Sequence, residues 1–103
     1  MTPAEIQRTT ALQHAQEVRM KRAALKRRVK NGDEPLGPYL EEMEIGEPVE
    51  WLATMRVFDL LLAVPRVGDR IAIGFLRKAG MTATTSFATM TRRQQGELVK
   101  LLK

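Results

Sequence analysis

Between Pro3 and Gly32 the chain carries neither glycine nor proline, so nothing local stops those residues from coiling into one helix. Thr2, Pro3 and Glu5 make a helix start: a hydroxyl to cap the first turn, a proline at the first helical position, and a carboxylate at the third. Asn31-Gly32 is the first stop signal. The spacing predicts a helix of about eight turns ending near Asn31. Its first half, with Ala11, Leu12 and Ala15 set among Gln and Thr, has a thin apolar face. That half is expected to project, or to order only with a partner. Leu25 and Val29 lie one turn apart, so the second half is expected to dock on the body.

With so much of 103 residues in one rod, there is room for one core. Residues 1–32 read as a long basic helix and 33–103 as a compact helical domain. Punctuation at Gly37-Pro38, Gly46-Glu47-Pro48, Val64-Pro65 and Gly80 divides the second part. Helices are predicted over 38–45, 48–53, 57–63 and 69–79, with a short turn of helix over 86–90 and a last helix to about Leu102 opened by a Thr91–Gln94 capping box. Pro38 and Pro48 are each taken to stand in the first turn of a short helix, and Gly80 to close its helix with a left-handed cap. Tyr39, Leu40, Met43, Trp51 and Leu52 are expected to face inward, with Met20, Met43, Met55, Met81 and Met90 as core filler. No stretch sustains period-2 alternation, so the fold class is all-α.

Charge is distributed in blocks. Seventeen Lys and Arg against twelve Asp and Glu give a net +5, the footprint of a polyanion binder. Seven bases lie between Arg19 and Lys30 without one acid, and seven acids between Asp33 and Glu50 without one base. Such blocks can neutralise each other in an antiparallel pack, can put the acids at the back and sharpen a basic face, or can do both. Arg19, Arg22, Lys26 and Lys30 fall on one stripe of the long helix, beside Ala11, Val18, Leu25 and Val29. A row of cations on a rod matches a row of phosphates, although a solvated charged face is the commoner use of such a pattern.

A second anionic site is suggested by 62–72. A leucine-rich helix ends, Pro65 turns the chain, and Gly68 is expected to allow a tight bend into the next helix. Free N–H groups at that helix start, flanked by Arg66 and Arg70, would cradle a phosphate, with Asp69 available as the cap. The plainer reading is a helix–turn–helix corner with solvated arginines. Arg92 and Arg93 oppose the dipole of the last helix, a cost a bound phosphate would offset.

Catalysis has little to work with. There is no cysteine, so no thiolate nucleophile or metal site and no disulfide, which suits a reducing compartment. His14 is the lone histidine, and Glu41, Glu42 and Glu44 lack a histidine partner or ligand loop. No glycine-rich nucleotide loop occurs. The expectation is a non-enzyme without metal or cofactor. The N-terminal residues lack a signal-peptide core, and the apolar run from Leu60 to Pro65 is too short to span a bilayer, so a cytoplasmic protein is expected.

Two blocks, Arg19-Met20-Lys21-Arg22-Ala23-Ala24-Leu25-Lys26-Arg27-Arg28-Val29-Lys30-Asn31-Gly32 and Leu60-Leu61-Leu62-Ala63-Val64-Pro65-Arg66-Val67-Gly68, occur in order with a closing Arg93-Gln94. In these the chain resembles the integration host factor of actinobacteria. That family carries Leu-Pro-Lys-Val-Gly-Lys after a leucine-rich helix, and an arginine-rich first helix ending Leu-Lys-x-Arg-Leu-Lys-x-Gly. The resemblance spans most of the chain. It implies a long N-terminal helix beside a helix-two-turns-helix module, and a monomeric, nucleoid-associated protein. Such a protein binds double-stranded DNA with little sequence preference, grips backbone at the minor groove, bends or compacts DNA, and supports phage integration beside a recombinase or integrase. By position, Arg66, Val67, Gly68 and Arg70 would lie in the DNA turn, with Arg19, Arg22 and Lys26 as a second contact. The sequence departs from the pattern where the family has a Thr-Arg-Arg-x-Arg cluster and this chain has Thr84-Thr85-Ser86-Phe87-Ala88. Met20 replaces an arginine and Asp69 a lysine. These losses imply weaker binding, or a surface shifted toward Arg27, Arg28 and Arg92, and fit a phage-encoded or a diverged member alike. The rival functions are an RNA-binding or ribosome-associated protein and a protein-interaction module whose first helix recruits an acidic partner.

Overall fold

Thr2 and Glu5 close a reciprocal box at the start of α1 (Pro3–Asn31): the Glu5 N–H donates to Thr2 Oγ1 at 3.2 Å, and the Thr2 N–H to Glu5 Oε2 at 3.0 Å. At the other end Gly32, at φ 82°, sends its N–H back to the carbonyls of Arg28 and Val29. The computed structural model describes residues 2–44 and 48–102, apart from the side chains of residues 6–9. After α1 come α2 (Leu36–Glu42), α3 (Glu50–Ala53), α4 (Val57–Leu61), α5 (Asp69–Lys78) and α6 (Arg92–Leu102). Among the described residues all regular structure is helical, save one isolated bridge between Arg56 and Ser86.

The helices converge on one core. Leu25 and Val29 of α1, Leu40 of α2, Leu52 of α3, Leu60 and Leu61 of α4, Leu76 of α5 and Leu98 of α6 are buried together with Phe87. α1 packs on α3, α2 on α6, and α5 on both α4 and α6. α1 outruns this core. It is about 43 Å long at the usual rise per residue, and residues 10–17 are all exposed, which accounts for a molecule of 52 × 27 × 24 Å.

α6 opens with the expected box, in which the Gln94 N–H donates to Thr91 Oγ1 at 3.2 Å and the Thr91 N–H to Gln94 Oε1 at 2.9 Å. The next residue, Gln95, is buried. Its side-chain amide donates to the Leu40 carbonyl and, at 2.9 Å, to that of Met43. Both acceptors belong to the last turn and C-cap of α2; the Leu40 carbonyl is shared with the Met43 N–H, at 3.2 Å, so Gln95 is its second donor. The segment after α5 straps over the α3–α4 connection: Phe87 N–H donates to the Met55 carbonyl, Ala88 N–H to that of Ala53, and Val57 N–H to that of Thr85. That strap forms a turn over 86–90 rather than a helix.

Several expectations are corrected. α2 begins at Leu36, behind Pro35 and two residues before the predicted start, so Pro38 is the third residue of its first turn and not the first. Gly37 is buried there, and a Cβ on it would sit 3.7 Å from Leu102 Cβ, which is how closely α2 and α6 approach. Pro48 precedes α3 by two residues. The predicted helix end at Ile45 and the turn at Gly46-Glu47 lie outside the described residues. Met20 is not core filler, at 71% exposed. It points away from the docking stripe, whereas Met55, Met81 and Met90 are buried and Met43 packs at the core's edge.

Candidate nucleic-acid interface

The docking stripe of α1 runs through Val18, Arg22, Leu25 and Val29, whose spacing of four, three and four keeps them on one face. Arg22 therefore belongs to the packed edge. Its Nε donates to the Trp51 carbonyl at 2.6 Å and its Nη2 to Thr54 Oγ1 at 2.5 Å, tying α1 to α3. Arg19, Lys26 and Lys30 occupy the adjoining edge and are exposed. Sequence reasoning put Arg22 with them because it stands only about 40° from Lys26 on the wheel, and the thin apolar face did not fix the phase.

Among the described residues the acidic segment makes no ion pair with the bases of 19–30. Among the described residues the ion pairs are Arg56–Asp59 at 2.9 Å, Lys100–Glu97 at 3.7 Å and the contact of His14 Nε2 with Glu50 Oε1 at 3.2 Å. None involves the lysines or arginines of 19–30. The His14 partner comes from α3, a tertiary neighbour invisible in the spacing along α1.

Between α4 and α5 the chain turns over Val64-Pro65-Arg66-Val67, with the Val67 N–H donating to the Val64 carbonyl at 3.1 Å. Pro65 fixes the second corner, and Arg66, at φ 68°, takes the left-handed third corner usually given to glycine. This corrects the expectation for Gly68, which lies in extended backbone at φ −92°, ψ −177° and caps α5. Asp69 is the first helical residue, not the cap, and no side chain caps α5. The N–H groups of Asp69, Arg70 and Ile71 thus have no partner among the described residues. A Cβ on Gly68 would meet nothing within 4 Å, so neither backbone angle nor crowding demands glycine there.

Two predicted sites meet in one groove. Lys30 lines it together with Arg66, Val67 and Gly68, and its continuation is lined by Lys26, Arg27, Lys30 and Asp59. Asp59 is the one acid along it, and both its oxygens are taken by Arg56, at 3.1 and 2.9 Å. Arg66, Gly68 and Arg70 are exposed, and Val67 is half-buried against the core. Arg19 lies further along α1, beyond the groove lining. Arg93 is elsewhere: it lines a separate depression with Arg77, Lys78 and Gly80 where α5 ends and α6 begins. Lys30, Arg77 and Lys78 complete these surfaces. Lys30 was legible as the last member of the α1 stripe; Arg77 and Lys78 read only as ordinary last-turn cations.

Among the described residues no group of three or more potential ligands could hold a metal ion, and no helix is long and apolar enough to cross a membrane.

No family model matches the chain, and no curated protein does. A solved structure, that of sIHF bound to an 8bp palindromic DNA, is similar over 88% of this chain and 99% of that one, at 22% identity and a TM-score of 0.76. Over that span the chain is therefore similar in fold to sIHF, in line with the family resemblance of the two sequence blocks.

Proposed function

We propose that this is a non-catalytic, double-stranded DNA-binding protein of the architectural kind. The observation that carries the reading is the groove in which Lys30 of α1 faces the same hollow as the Arg66-Val67-Gly68 turn, with Lys26 lining the adjoining hollow that Lys30 shares. Its walls supply unpaired cations and its end supplies free main-chain N–H groups, the donors that grip phosphates without reading bases. The open space at Gly68 leaves room for a sugar–phosphate strand to approach the backbone. The fold's likeness to sIHF, whose solved structure holds DNA, supports the same reading.

In this reading residues 33–103 form the body that carries a helix-two-turns-helix contact at the minor groove, and residues 1–32 supply the second contact. Arg19, Lys26, Arg66, Val67, Gly68 and Arg70 touch the duplex, and Arg22 positions α1. The protein is a cytoplasmic, nucleoid-associated monomer that bends or compacts DNA with little sequence preference and assists an integrase during phage integration.

The test is a gel shift over a salt series on two unrelated duplexes and on duplex RNA of equal length. The expected result is equal binding of both DNA sequences, weaker binding of RNA, and severe loss in a double variant, Arg66→Glu with Arg70→Glu, that keeps its fold. Binding unaffected by those two changes would overturn the role of the turn. No shift of any duplex at low salt would overturn DNA binding itself and favour a protein partner, and preference for duplex RNA would favour the ribosomal alternative.

A further inference from the structure

The outer face of α5 is not explained by how the chain packs. Ala72, Leu76 and Ala79 are buried. On the opposite side Arg70, Gly74, Arg77 and Lys78 fall within an arc of about 100° at helical spacing. Ile73 borders the arc on one edge and Ile71 on the other, 39% and 46% exposed. At its centre Gly74 sits mid-helix, where glycine is a poorer helix former than alanine. A Cβ there would meet nothing within 4 Å, so the fold gains nothing visible from its absence.

The cations around this notch are free. Arg70, Arg77, Lys78 and Arg93 have no ion-pair or hydrogen-bond partner among the described residues. Glu97, on the rim of the depression shared by Arg77, Lys78 and Arg93, is turned to Lys100 at 3.7 Å. Gly96 of α6, equally open around its would-be Cβ, follows Arg93 by three residues, so the pattern of open glycine beside cation repeats at the far end. One-signed charge around a side-chain-free notch with apolar edges suits a sugar–phosphate strand. Phosphates meet the cations, sugar faces meet the isoleucines, and the strand's bulk enters where a methyl would hold it off.

We propose that the outer face of α5, from Arg70 past Gly74 to Arg77, Lys78 and Arg93, is a track for a nucleic-acid backbone continuing from the Arg66–Gly68 turn. The proposal rests on the DNA-binding reading above. It goes beyond the turn and α1 by assigning contacts to Gly74, Arg77, Lys78 and the isoleucine edges.

Three variants test it: Gly74→Ala, Gly74→Leu, and Arg77→Ala with Lys78→Ala and Arg93→Ala. Each is measured by thermal melting, by duplex affinity across salt concentrations, and by sedimentation. Gly74→Ala is expected to raise Tm, since alanine favours the helix, and yet to weaken duplex binding. Opposed signs cannot come from misfolding. Gly74→Leu is expected to weaken binding further, by about tenfold or more. The triple variant should reduce the slope of log affinity against log salt by about three. Wild-type affinity in both Gly74 variants, or an unchanged slope in the triple variant, overturns the track while leaving the turn's role intact if Arg66→Glu with Arg70→Glu still abolishes binding. A change of oligomeric state in Gly74→Leu without loss of DNA affinity overturns it in favour of a second copy on this face. Failure of the wild type to bind any duplex overturns the track and the reading beneath it together.

Discussion

Arg22 reaches across from α1 to the main-chain carbonyl of Trp51, 2.6 Å from its Nε, while its Nη2 holds Thr54 Oγ1. One guanidinium thereby fastens the long helix to α3 at two points set apart by its planar fork. Removing it by Arg22→Ala is expected to cost about 2 kcal/mol of stability, the range of charged hydrogen bonds with a partly buried partner. Arg22→Lys should recover little, because an ammonium cannot meet both acceptors in that geometry. Urea unfolding of the three proteins checks this.

Arg66 occupies a left-handed corner, at φ 68°, that costs an L residue about 1 kcal/mol. Arg66→Gly is therefore expected to leave the fold as stable or stabilise it by up to that amount, offset in part by the flexibility glycine adds to the unfolded chain. The same change should lower duplex affinity and reduce the salt slope by about one. Paired melting and binding curves on one preparation test the divergence.

The two flanks of α1 offer a charge-matched comparison. Lys26→Ala with Lys30→Ala removes two cations that line the groove, while Lys21→Ala with Arg28→Ala removes two from the other flank of the docking stripe. Both leave the same net charge. The first pair is expected to lose more affinity and about two units of salt slope, the second distinctly less. Equal losses would mean that net charge, not the groove, governs binding.

Gln95 satisfies two carbonyls at the end of α2 from inside the core. Gln95→Leu keeps the volume and takes the side-chain donor from both carbonyls, leaving Leu40's with the Met43 N–H alone, so destabilisation of about 1–2 kcal/mol is expected. Chemical denaturation measures it, and slowed hydrogen exchange should be lost first along α2 and α6.

Tyr39 has its phenol raised above its ordinary value of 10.0 by burial, with Glu34 adding to the rise and Arg28 opposing it. A raised value in the folded state means that stability is fully present below the unfolded value and is lost as pH climbs from there through the folded one. The wild type is thus expected to lose stability above pH 10 more steeply than Tyr39→Phe. Melting curves of both proteins across that alkaline range give the difference.

What could be read from residues alone was what short-range chemistry decides. The Thr2–Glu5 and Thr91–Gln94 boxes, the Gly32 and Gly80 caps and the Pro65 turn each act within a few residues, and each stands where the sequence put it. What failed depended on partners far along the chain. Arg22 looked like a free cation because Trp51 and Thr54 are about thirty residues away. Met20 looked like filler because an alanine-rich face sets no firm phase. Proline at position 38 suggested a start that Pro35 supplies instead, since Leu36 and Gly37 are recruited into α2 by their burial against α6. The groove was half legible: each wall had a signature, but only packing brought Lys30 beside the turn.

Leu25 and Val29 sit in the same core as Leu60 and Leu61. The two walls of the groove are consequently spokes of one hub, and their separation cannot widen or narrow unless that hub is broken. A gauge of fixed width makes no allowance for its workpiece. Under the proposed function, any misfit between the protein and a straight duplex falls to the duplex, whose own stiffness, step by step, would then decide where along a genome the protein rests most easily.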